Sequence, residues 1–197
     1  MEQARKKLLL MAAALALLLP AGVVYATSTT VPVSATFVSN LTLTPTEMQF
    51  GNVSFNGAPG AADTVVLTTN SNITYNGVFS LGGAGTVAAG DVVIGGTLGN
   101  LLDVSCTSSG TLAQLSGSGK IDVNSVQVAQ ESAAGGGGFA CNGIGNVVLS
   151  FALTASTDDQ LKLGGTLDGA TAASFGSGSY STANAGGAGI QLDVVYQ

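Results

Sequence analysis

Residues 190–197 read IQLDVVYQ. Ile190, Leu192, Val194 and Tyr196 alternate with Gln191, Asp193, Val195 and Gln197, a repeat of two. That period predicts a β-strand with one face on a core, because successive side chains of a strand point to opposite sides. An exposed strand that carries an apolar face invites a partner.

The same period recurs upstream. VPVSATF (31–37), TVVLTT (64–69), ITYNGVFSL (73–81), DVVIGG (91–96) and NLLDVSC (100–106) read as strands. So do KIDVNSVQVA (120–129), NVVLSFALTA (146–155) and LKLGGTL (161–167). Gly- and Ser-rich clusters such as NGAPGA, GGAG, SGSG, GGGG and NAGGAG separate them and mark turns. Many short strands with regular turns, and no helical period after residue 26, predict an all-β protein: an Ig-like antiparallel β-sandwich with Gly-rich loops. IGGTLG (94–99) and LGGTLDG (163–169) echo each other, but two copies do not make a solenoid.

The first residues set the compartment. Arg5, Lys6 and Lys7 precede an apolar run from Leu8 to Leu19, then Pro20, then Val24 and Ala26 at the small-residue positions of a cleavage site. This predicts a secretory signal over 1–26, too short in its apolar run for a membrane anchor. The expected mature protein is secreted, to the extracellular space or cell surface, with no membrane association after cleavage. Residues 27–40 form an N-terminal arm or an edge strand, since Pro32 cannot donate to a central ladder. Residues 41–197 form the sandwich domain.

Residues 1–26 hold Glu2 and three of the five basic residues. Cleavage would leave ten acidic residues against Lys120 and Lys162, a net charge of −8. Phosphate neutralisation needs Lys and Arg, so nucleic acid is excluded as a partner. Cys106 and Cys141, in an exported chain, predict one structural disulfide. No metal site or other cofactor is expected from this set of side chains.

Candidate chemistry is sparse. The sequence has no His, so the commonest general base is missing, and the serines lie in turns without a G-x-S-x-G setting. Asp158–Asp159 in STDDQ lacks the alternating acidic pattern of a calcium loop and reads as a solvated turn. GGGGFACNGIG has no following Lys and no strand-to-helix context, so it is no phosphate loop. Enzymatic activity is not expected.

Four stretches in order, LTLTPTEMQFGNV (41–53), LKLGGTLDG (161–169), GSGSYS (176–181) and IQLDVVYQ, resemble a bacterial secreted family catalogued as domain of unknown function 4402. The resemblance runs from about Ala35 to the end and is weakest over 82–140. It implies a pilin-like or spore-coat-like surface protein. The last strand also resembles the closing strand of chaperone–usher pilins, with alternating apolar residues and a penultimate aromatic. That resemblance implies assembly by strand addition. Val31, Val33, Ala35 and Phe37 would be the donor strand, and Ile190, Leu192, Val194 and Tyr196 the strand bordering the acceptor groove. The implied partners are further copies, other surface subunits and a periplasmic chaperone. The competing expectation is a monomeric extracellular binding module for a carbohydrate or another surface polymer. The absence of Trp counts against it.

Overall fold

The computed structural model describes residues 40–131, 138–154 and 159–197. These belong to one compact unit, Val38–Gln197. The expected signal peptide, and the expected donor residues Val31, Val33, Ala35 and Phe37, lie outside the described residues, as does Asp158.

In chain order the described strands are β1 (Thr42–Thr46), β2 (Gln49–Phe50), β3 (Val53–Phe55), β4 (Thr64–Leu67), β5 (Ile73–Tyr75) and β6 (Phe79–Leu81). There follow β7 (Val87–Ala88), β8 (Gly90–Gly95), β9 (Leu101–Cys106), β10 (Gly110–Gln114) and β11 (Lys120–Gln130). The last are β12 (Phe139–Ala140), β13 (Leu149–Ala152), β14 (Gln160–Ala173), β15 (Tyr180–Ser181) and β16 (Leu192–Tyr196). All pairings are antiparallel.

The larger sheet has the order β1-β8-β14-β11-β10-β15, with β4–β5 and β12 attached beside that path. A three-stranded sheet, β13-β9-β16, and two short pairs, β2–β7 and β3–β6, complete the fold. The sheets curl into a half-barrel, an all-β sandwich as the strand pattern predicts.

The axis of the larger sheet is the pair β11–β14. Ile121 and Val123 face the core, then Val126 and Val128 do, so the inward phase shifts from odd to even residues. A β-bulge makes the shift. Asn124 pairs with Thr166 and Gln127 with Gly164, leaving Ser125 and Val126 opposite Gly165 alone. Ser125 takes φ of 50° there. Such a bulge adds one residue on one strand and restores burial on the same face. A Cβ on Gly164 would lie 2.5 Å from the Leu67 carbonyl oxygen, and one on Gly165 2.7 Å from Val123 Cγ1. The Gly-Gly pair therefore lets β4 and β11 close on β14 from both sides.

Three strand expectations change, and of NVVLSFALTA (146–155) only Leu149–Ala152 is strand among the described residues. ITYNGVFSL is two strands, because Asn76–Val78 turns through Gly77 at φ of 68°. Asp63 holds that turn, accepting from Gly60 N at 2.7 Å and Val78 N at 3.0 Å. LKLGGTL is the first half of a fourteen-residue strand.

Leu67, Leu102, Leu153, Leu161, Val65, Val104, Val126 and Val128 are fully buried. Each contributes roughly 1.5–3 kcal/mol by burial. The disulfide Cys106–Cys141 is formed. It joins the end of β9 to the segment after β12, beside β11, where Cys141 N donates to Val126 O at 2.8 Å. The two sheets are thus covalently tied.

Candidate assembly edge on the last strand

β16 pairs with β9 from Leu192–Cys106 to Tyr196–Leu102. Thr107 N donates to Gln191 O at 2.9 Å and Gln197 N to Leu101 O at 3.0 Å. In an antiparallel ladder only alternate residues bond to a given neighbour. Gln191, Asp193, Val195 and Gln197 therefore bond to β9. The N–H and C=O groups of Leu192 and Val194 point the other way, along the outer edge of the three-stranded sheet. Among the described strands none pairs on that side.

The side chains follow the predicted alternation. Val194 is buried, and Ile190, Leu192 and Tyr196 are half-buried against the core. Gln191, Asp193, Val195 and Gln197 are exposed. The four expected groove-edge residues thus lie on one inward face.

Tyr196 is clasped. Its hydroxyl accepts from Thr97 N at 2.7 Å. A Cβ on Gly96 would lie 2.5 Å from that hydroxyl and 3.0 Å from both Leu41 Cδ2 and Leu153 Cδ2. Gly96 is thus the gap that admits the phenol between β8 and β13. The sequence signal was present in the Gly-Gly pair of IGGTLG, but the tyrosine it admits lies 99 residues beyond Thr97, the residue that follows the pair. On the outer face, Asp103 of β9 accepts from Ser150 on β13 and from Gln197 Nε2 at 2.7 Å, so one carboxylate laces all three strands.

The other edges differ. β1 is as long as β16, but Pro45 interrupts its donors. β13 has four residues, β5 three, and β12 and β15 two each. β16 is the longest described edge strand without a proline, and prolines and short edges are the usual means of discouraging strand addition.

The remaining candidates are structural. Asp159 is buried rather than solvated, with Oδ1 accepting from Thr154 N at 2.8 Å and Thr154 Oγ1 at 3.1 Å. Lys162 Nζ lies 3.1 Å from Asp91 Oδ2 and 3.0 Å from Glu131 Oε2. Burial pulls its pKa down, but hydrogen bonds and charge attraction from Glu131 and Asp91 outweigh that, and the net displacement is upward. Tyr180 packs on Phe175 at 5.1 Å, and its hydroxyl donates to Gly176 O at 3.0 Å, pinning a corner rather than presenting a ring. Among the described residues no three His, Cys, Asp or Glu side chains converge to hold a metal, and no helix is long and apolar enough to cross a membrane. No protein-family model, curated protein or solved structure matches the chain.

Proposed function

We propose that the chain is a secreted structural subunit of a surface fibre or matrix, pilin-like in its assembly, in which β16 accepts a strand from another copy. One observation carries this reading. A disulfide-tied sheet ends on an edge strand whose inward side chains are apolar and whose Leu192 and Val194 backbone groups point outward.

A strand laid on this edge would gain backbone hydrogen bonds, each contributing about 0.5–1.5 kcal/mol net. Alternate side chains would set its register. Val31, Val33, Ala35 and Phe37 supply the matching period of two. Pro32 is tolerated in such a donor if its missing N–H faces away from β16. A periplasmic chaperone would cover the same edge before assembly.

Electron microscopy of the chain from residue 27 onward, beside a version lacking residues 27–38, tests the reading. Filaments from the longer protein that vanish with the truncation are expected. Monodisperse particles from both would overturn it and favour the competing reading, a monomeric binding module.

A further inference from the structure

The sequence holds three Asn-Gly steps, at 56–57, 76–77 and 142–143, and all lie among the described residues. Such a step can close on itself. The glycine's backbone nitrogen attacks the asparagine's side-chain carbonyl carbon, and no Cβ on the glycine stands in the way. The attack needs that nitrogen unbonded and that amide free to turn.

The fold denies this to two of the three. Gly143 N donates to Cys106 O at 2.9 Å, in a bridge beside the disulfide. Asn76 Nδ2 donates to Thr64 Oγ1 at 3.0 Å, and Gly77 is packed so closely that a Cβ there would overlap the Asp63 carboxylate. Asn56–Gly57 differs. Asn56 N donates to Val78 O at 3.2 Å as the chain leaves β3. Beyond that rung both residues are exposed. Among the described residues neither the Asn56 side-chain amide nor Gly57 N has a hydrogen-bond partner.

We infer that Asn56 is a site of spontaneous covalent modification, deamidation through a cyclic imide, and that the fold closes the other two steps to the same reaction. Gly57 N bonds to Asn56 Cγ, the Cγ–Nδ2 bond breaks, and ammonia leaves with the proton from Gly57 N. Water then opens the imide at either carbonyl, giving aspartate or isoaspartate. The net exchange is one water in and one ammonia out. The product adds a negative charge to a chain that is already acidic. It does so at the end of β3, next to Phe55, whose ring packs on Phe175 at 4.9 Å. The isoaspartate form also lengthens the main chain by one carbon just past the Asn56–Val78 rung.

Peptide mapping by mass spectrometry, after incubation of the purified protein at mildly alkaline pH, tests this. Peptic digestion at acid pH stops the reaction, and each conversion adds about 1 Da to its peptide. In the folded protein, conversion at Asn56 should run at least about tenfold faster than at Asn76 or Asn142, because those two steps must first break a hydrogen bond. In concentrated urea with reductant the three rates should converge. Gly57→Ala should slow Asn56 by about tenfold, since the added methyl hinders the attacking nitrogen. The fold accepts that change, because a Cβ on Gly57 meets only Val78 Cγ1, at 3.6 Å. An Asn56 rate no higher than the other two in the folded protein would overturn the site. Rates that stay apart in urea would overturn the guarding role of the fold. An unchanged rate in Gly57→Ala would overturn attack by Gly57 N.

Discussion

Proline placed at two adjacent positions of β16 separates the strand's inner ladder from its outer edge. Asp193 N–H belongs to the set that bonds β9, opposite Ser105, whereas Leu192 N–H points outward. Asp193→Pro removes a ladder donor and leaves the carbonyl of Ser105, a residue 5% exposed, without its partner. An orphaned buried acceptor costs about 1–3 kcal/mol. At about 2–4 °C per kcal/mol for a chain of this size, the melting temperature should drop by roughly 2–12 °C. Leu192→Pro stands at the first residue of the strand, where proline is tolerated. It gives up part of a half-buried side chain, about 1 kcal/mol, and should lower the melting temperature by roughly 2–4 °C. Assembly should respond in the opposite order. Leu192→Pro deletes an outward donor and puts a ring on the edge, so filaments should be lost from a folded protein. Calorimetry and electron microscopy on the same preparations read both effects. Normal filaments from Leu192→Pro would refute the assignment of β16 as acceptor. A larger melting loss at 192 than at 193 would refute the hydrogen-bond parity itself.

Three further outcomes follow from the packing. Reduction of Cys106–Cys141, which closes a separation of 35 residues, should cost roughly 3–4 kcal/mol by loop-closure entropy, read as a lower denaturant midpoint with reductant present. Gly96→Ala should destabilise by about 1–3 kcal/mol because its methyl would meet the Tyr196 hydroxyl, and Tyr196→Phe should cost about 1 kcal/mol through Thr97 N; urea unfolding measures both. Lys162 has a folded-state pKa above its ordinary 10.5, so its stabilising contribution is complete below that value and is lost as pH rises through the folded pKa. Melting curves above pH 10 should therefore fall less steeply for Lys162→Met than for the unsubstituted protein.

The parts of the fold that could be read in the sequence are those set by local alternation. In β16, β9 and β8 the inward residues are the ones the period of two selects. Even the bulge in β11 leaves a trace, since the apolar phase slips between Val123 and Val126. What the sequence hid depends on distant partners. The clasp of Gly96 and Thr97 on Tyr196 joins residues a hundred positions apart. β10 and β15, short and rich in Gly, Ser and Thr, became strands by pairing rather than by propensity. Asp159 is a local exception: its carboxylate accepts from Thr154 only five residues earlier, a pairing that no motif in STDDQ announces. The edge status of β16 is a property of sheet order, and alternation alone cannot distinguish an edge strand from a central one.

The cystine has a mechanical side as well. In a fibre of the kind proposed, each subunit would be loaded in tension, and a pull on a strand seated against β16 would pass first into β9. Cys106 ends β9, and its sulfur bond leads to the chain lying beside β11, the axis of the larger sheet. The load would therefore leave the small sheet through a covalent link as well as through packing. Reduced subunits should stretch and shed strands at lower force than oxidised ones, and a filament's strength should follow the redox state of its surroundings.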